Sequence, residues 1–247
     1  MLPTPDTSHV SYSRIYEPAE DSFLLLDTLT SEAPFLSRTF PSAAPAPLVL
    51  EVGTGSGVVL AFINAHARTL FGHGAVVTAG VDLNPFACLA TGLTVDKAAR
   101  ENRSTAGRYL GASVGDLASA WRRGTVDVLV FNPPYVPTPD VPPLSGPERR
   151  GKGAVKDKEE HVDADDDVDV DDDGDDDDDT WERDSYLLSL SYAGGRDGME
   201  TTHRLNRPAE VKEGIRRFGP EWRAETVGSS GKTAGWEKLQ VLRIWRE

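Results

Sequence analysis

Apolar residues along the chain fall into short runs of two kinds, and the two kinds alternate. Leu48-Val-Leu-Glu-Val52, the run over 75–82 (AVVTAGVD) and the run over 126–132 (VDVLVFN) are dense in β-branched residues, and each predicts a buried strand. A weaker strand falls over 109–114 and ends at Asp116, followed by a short helix near 117–122. Between the strands, residues 57–71 and 84–101 suit helices. Ahead of them, the stretch from Pro18 predicts a helix with proline and acids in its first turn and with Phe23, Leu24, Leu26 and Leu29 buried. A Pro/Ala/Ser stretch over 40–47 joins that helix to the rest. Strand alternating with helix four times over predicts an α/β fold, a doubly wound and mostly parallel sheet of Rossmann-like type.

Beyond Tyr135 the pattern stops. Pro137, Pro139, Pro142, Pro143 and Pro147 are incompatible with regular elements, and residues 163–179 hold thirteen aspartates and no basic residue. Like charges at that density repel and bury nothing, so the tract is expected to be disordered. Order returns over 186–193, followed by a helix near 208–218 and strands at 222–227 and 237–245. The implied organisation is a flexible arm over 1–15, a first core segment over 16–144, an acidic insertion over 145–184 and a second core segment over 185–247.

The tract also explains the charge. The net −14 of the chain is nearly all in those aspartates, leaving the remainder within one charge of neutral. No basic face of the kind that holds nucleic acid through its phosphates is evident. A lone cysteine, Cys88, allows no intrachain disulfide and suits a reducing compartment, cytosol or nucleus. The five histidines are scattered without zinc-ligand spacing, and no apolar run reaches membrane-spanning length.

Three motifs carry chemistry. Glu51-Val-Gly-Thr-Gly-Ser-Gly57 lies between a strand and a helix, where Gly53, Gly55 and Gly57 permit a tight turn and close approach of a ligand to the backbone. A dinucleotide fingerprint needs Gly or Ala at position 58, which is Val58. With Glu51 ahead of it, the loop instead resembles an S-adenosylmethionine loop, the carboxylate suiting the cationic amino-acid end. Asp82, at the tip of the second strand, can accept from two ribose hydroxyls, with Asn84 free to cap the following helix. Asp116, ending the third strand, is placed to accept from an adenine amino group, with Leu117 beside it at the cofactor. The third motif is Asn132-Pro-Pro-Tyr135 at the end of the fourth strand, where ligands of such sheets bind. The Asn132 side-chain oxygen and the Pro133 carbonyl can each accept one hydrogen of a planar –NH2. Fixing both hydrogens frees the nitrogen lone pair to face a methyl donor, while Pro134 stiffens the turn and Tyr135 offers a flat face to a conjugated substrate.

Tyr16-Glu-Pro-Ala-Glu-Asp-Ser-Phe23, Glu51-Val-Gly-Thr-Gly-Ser-Gly57, Asp82-Leu-Asn-Pro85, Phe131-Asn-Pro-Pro-Tyr-Val-Pro-Thr138 and Ala193-Gly-Gly-Arg-Asp-Gly198 occur in this order. Together they resemble the eukaryotic branch of the HemK family, the glutamine N5-methyltransferases of class I translation termination factors. The resemblance implies a class I methyltransferase fold and S-adenosyl-L-methionine as cofactor. It implies the glutamine of the Gly-Gly-Gln loop of the eukaryotic release factor as substrate, and a small zinc-binding activator subunit paired along the sheet edge near 108–115. It differs at one place: Met199-Glu-Thr-Thr-His-Arg-Leu205 runs straight into Asn206-Arg-Pro-Ala-Glu210, where the family has a helix, a turn and an apolar fifth strand. The sheet is therefore expected to lack its fifth-strand region. Other readings of the same residues are a nucleic-acid amino-methyltransferase acting on adenine N6, a protein-lysine methyltransferase, and a catalytically impaired relic or scaffold.

Overall fold

In the computed structural model the described residues are 2–122, 124–143, 175–196, 198, 200, 221–230 and 240–246. Four strands, β1 (Leu48–Val52), β2 (Val77–Asp82), β3 (Arg108–Val114) and β4 (Val128–Phe131), form one parallel sheet in the order β3-β2-β1-β4. Among the described residues six helices accompany them: α1 (Glu20–Ser31), α2 (Ala33–Thr39), α3 (Val58–Ala65), α4 (Ala67–Phe71), α5 (Pro85–Glu101) and α6 (Asp175–Tyr192). Strand, crossover helix and parallel strand follow one another as the alternation of apolar runs requires. The core of the sheet is β1, with Val49 and Leu50 fully buried between β2 on one side and β4 on the other. On one face α3 is buried along its whole length, with Phe62 and Ile63 packed among Val49, Leu70, Phe71 and Val76.

Several expectations are corrected. The helix expected over 57–71 breaks at His66, whose Nε2 is 2.9 Å from the carbonyl of Pro3 and whose ring stands edge-on to Phe62. Residues 117–122 form turns rather than a helix, with Leu117 in the left-handed region at φ 52°. Helix α2 occupies residues that no periodicity singled out. In α1 Leu26 is buried as expected, but Leu24 and Leu29 are half-buried and Phe23 is 45% exposed, while Asp21, Ser22 and Thr28 are buried beside Leu26. Asp21 and Ser22 of this face line a cavity at the carboxyl ends of the strands, Leu26 joins the apolar core, and Thr28 lies against Gly228.

The arm over 2–15 is laid down on the core. Val10 and Ile15 are buried with Ala87 and Ala90 of α5, Asp6 pairs with Lys97, and Asn84 donates to the carbonyl of Arg14. Helix α6 begins at Asp175, inside the tract expected to be disordered as far as Asp184. Arg14 forms a salt bridge with Asp184 at 2.7 Å, which gives one acidic residue of that helix a fixed partner. The rest of the acidic tract (144–174), the helix expected near 208–218 and the join after Met199 lie outside the described residues.

The last two strands, β5 (Trp222–Ser229) and β6 (Gln240–Arg246), pair antiparallel with each other in a sheet of their own. They pack on α1. The guanidinium of Arg243 on β6 sits 4.1 Å from the ring centroid of Phe35 and 4.6 Å from that of Trp245, and it pairs with Glu32 and Glu225. Two aromatic faces and a partly buried carboxylate thus converge on one cation. Arg243→Ala is expected to destabilise the chain by about 2 kcal/mol, lowering the thermal midpoint by about 4–8 °C. Glu225 is 60% exposed, so Glu225→Ala should move the midpoint by no more than about 1–2 °C. Circular-dichroism melts of both variants check the difference.

Candidate active site

Because β1 lies between β2 and β4, the chain leaves β1 on one side and returns on the other, opening a crevice at the carboxyl ends of the strands. Those ends are level: Val52 pairs with Val81 and with Phe131. The loop after β1 and the Asn-Pro-Pro-Tyr turn after β4 therefore face one another across a single cavity. Glu51, Gly53, Gly55, Asp82, Leu117, Asn132, Pro133, Pro134 and Tyr135 all line it. Gly57 and Asp116 do not.

The glycines of the loop divide their tasks. Gly55 has φ +51°, and a Cβ placed on it would meet nothing within 4 Å, so this corner is open on the ligand side. Gly57 has φ +79°, but a Cβ there would lie 2.5 Å from Cα of Thr91 in α5. Its bareness serves the packing of α3 against α5, not the approach of a ligand. Neighbouring Thr54 is buried and accepts from the Thr91 hydroxyl at 2.8 Å, which ties the same loop to α5.

Two carboxyls are buried beneath the loop. Asp82 accepts from the backbone N–H of Gly55 at 2.9 Å through one oxygen and from that of Asn84 at 2.8 Å through the other. Asn84 in turn caps α5 by accepting from Phe86. Asp82 thus staples the loop shut, a role that the reading of it as a hydroxyl acceptor missed. Burial pushes its pKa up, while the N–H groups of Asn84, Gly55 and Thr54 draw it back. Glu51 is only 2% exposed, and its Oε2 has no hydrogen-bond partner. Burial holds its carboxyl well above the ordinary range, the Leu60 N–H opposes this, and the nearby Asp82 adds to it. A buried carboxyl with one oxygen left unpartnered beside a cavity suits a cationic group.

Asp116 itself does not line the cavity, but its neighbours Gly115 and Leu117 do. Leu117 joins Val52, Val81 and Phe131 in an apolar wall of the cavity, backed by the buried Leu50 and Ala79.

Sequence reasoning missed one side of the cavity. Tyr16 and Asp21 line it from the N-terminal segment, and Leu187, Leu190 and Ser191 line it from α6. Asp21 is buried and receives the Asn132 Nδ2–H at 3.0 Å and the Tyr135 hydroxyl at 3.3 Å on the same oxygen, Oδ2. Tyr16 is hydrogen-bonded to Tyr135, and burial and Asp21 raise its pKa. The available signal was an acid seven residues before Thr28 on a helix, in phase with its buried face. Behind the turn, Val136 N–H donates to Tyr192 and Gly194 N–H donates back to Val136, a short parallel bridge from Val136 to Ala193. A Cβ on Gly198 would collide with the Tyr135 carbonyl, so the Ala193–Gly198 loop is bare where it backs the turn.

The pH dependence of stability follows from Glu51. An acid with a raised folded-state pKa contributes stability that is full below its ordinary value of 4.5 and lost as pH rises through the raised value. Glu51→Gln is therefore expected to gain stability on the wild type as pH increases from 4.5. Urea melts of both proteins at pH 5 and pH 8 check the sign, since a constant difference between them contradicts it.

No family model matches the chain. Among characterised proteins it is 41% identical over 141 residues to "Methyltransferase HEMK2" of Mus musculus, covering 56% of this chain and 58% of the relative. It is 32% identical over 141 residues to "eRF1 methyltransferase catalytic subunit mtq2" of Schizosaccharomyces pombe, covering 56% and 59%. A "Putative protein N5-glutamine methyltransferase" of Methanocaldococcus jannaschii is 34% identical over 127 residues, covering 51% and 50%. The chain thus spans little more than half the length of the relatives it matches. Over that half, its sequence is similar to those of the HemK-family methyltransferases.

Proposed function

We propose that the chain is an S-adenosyl-L-methionine-dependent methyltransferase. Its substrate on this reading is N5 of the glutamine in the Gly-Gly-Gln motif of the eukaryotic class I release factor. The observation that carries the reading is the Asn132-Pro-Pro-Tyr135 turn, set across one cavity from the glycine-cornered loop and the orphaned Glu51. The relatives' names, a glutamine N5-methyltransferase and an eRF1 methyltransferase subunit, support the same substrate class.

The residues fit the cofactor. Glu51 would hold its cationic amino-acid end, the open corner at Gly55 would admit its backbone, Asp82 would receive ribose hydroxyls, and the patch around Leu117 would receive the adenine. When bound, the cofactor supplies a methyl group on a positively charged sulfur. The chain's own task is to present the accepting nitrogen. Asn132 Oδ1 and the Pro133 carbonyl each accept one hydrogen of the glutamine –NH2, which orients the nitrogen lone pair into the cavity. Tyr135 packs flat against the amide. The methylated nitrogen is acidic and releases its proton without a strong base.

An activator subunit fits the open edge of β3. Leu110 and Val114 on β3 and Leu89 and Leu93 on α5 are each at least 60% exposed, a cluster of large apolar side chains facing outward. The backbone of β3 pairs on one side only among the described residues, leaving the other for a partner strand.

In a methylation assay with purified release factor, Asn132→Ala is expected to retain less than about one tenth of wild-type turnover. Its cofactor affinity, measured by calorimetry, should stay within a few-fold. Retained turnover, or equal methylation of DNA or RNA, contradicts the reading. Separately, Leu110→Asp should abolish co-purification with the activator while leaving the melting profile of the isolated chain in place. A variant that still co-purifies would remove the partner from this edge.

A further inference from the structure

An asparagine side chain can present either its oxygen or its –NH2 to a cavity, and the two orientations differ only by a half-turn. The proposed function needs the oxygen. Asp21 decides between them. Its Oδ1 is occupied by the Ser22 backbone N–H at 2.7 Å and the Ser22 hydroxyl at 3.3 Å, and its Oδ2 by Asn132 Nδ2 and the Tyr135 hydroxyl. An ionised Asp accepts and does not donate, so the atom of Asn132 that faces it must be the nitrogen. Oδ1 of Asn132 is thereby turned away from Asp21. Asp21 is only 8% exposed and stands in the first turn of α1, where the helix N-terminus favours a negative charge. Water therefore competes poorly for Oδ2.

We propose that Asp21 is a positioning residue that selects the oxygen-outward orientation of Asn132, so that the cavity accepts substrates presenting –NH2. In this role it acts on the substrate through Asn132 and Tyr135. One oxygen serves both, so the amide and the aromatic ring that flank the substrate are set together. The inference rests on the methyl-transfer reading above and adds to it the device that fixes which way the turn's amide points.

Asp21→Asn is the informative substitution because it keeps the shape. The new side chain has one acceptor and one donor. Whichever end faces Asn132 and Tyr135, a donor confronts another donor there or at Ser22. With the chain co-purified with its activator, Asp21→Asn is expected to lower kcat on release factor by about 100-fold, as misplacement of a substrate-positioning group does. KM, cofactor Kd and thermal midpoint should stay close to wild type. A kcat within twofold of wild type overturns the proposal, and so does a kcat loss matched by equal losses of cofactor affinity and melting temperature.

A second measurement does not depend on turnover or on the variant's fold. In the wild-type chain labelled with 15N-asparagine, the Asn132 side-chain resonance is identified by its absence from Asn132→Ala. Its Nδ2 protons should exchange with solvent at least about tenfold more slowly than those of the exposed asparagines. Unprotected Asn132 protons overturn the clamp. Absence of wild-type methylation of release factor, with the protons protected, counts against the substrate reading alone.

Discussion

The parallel pairing of β1 with both β2 and β4 is the constraint from which the rest follows. A strand with parallel neighbours on both sides must send its chain out over one side and have it return on the other. The glycine loop leaves from the end of β1, and the Asn-Pro-Pro-Tyr turn leaves from the end of β4. Register sets both at one height, with Val52 beside Phe131. Neither segment holds the cavity alone, and a slip of one residue in β4 would turn every one of its side chains to the opposite face.

That geometry places acidic groups where solvent is scarce. Asp82 has backbone N–H donors on both oxygens, whereas Glu51 keeps one oxygen, Oε2, without a partner. The asymmetry separates a structural acid from one reserved for something that arrives from outside. Asp21 is a third acid, in the first turn of α1, and it is satisfied from four donors. Three carboxyls surround one cavity, each with a different degree of satisfaction, and together they favour a positively charged guest over an anionic one.

Much of this was legible in the chain. The strands over 48–52 and 128–131, and the two motifs at their ends, followed from apolar density and bounding turn residues alone. What escaped reading was what depends on distant partners. Asp21 and Asn132 are 111 positions apart, and nothing in either neighbourhood announces the other. Gly57 read as a ligand glycine because its spacing suits one, whereas the steric demand comes from Thr91. Phe23 read as core because it is large and apolar, but the first turn of α1 faces a polar site and turns Phe23 outward. The arm over 2–15 has a polar composition that suggests solvation, but Val10 and Ile15 supply enough burial to hold it down. The end of the acidic tract read as unstructured because like charges repel, yet α6 begins at Asp175.

The hairpin of β5 and β6 sets an order of events. Arg243 meets Glu32 across 211 residues of sequence, and it does so on the end of α1, the helix that carries Asp21. During synthesis α1 emerges about two hundred residues before its brace. A contact so distant in sequence forms late, because a long loop must close before it can form. The nascent chain can therefore complete its parallel sheet well before the helix bearing Asp21 receives its final support. The Asn-Pro-Pro-Tyr turn, which Asp21 holds, would settle only after the strand bearing Arg243 has been made.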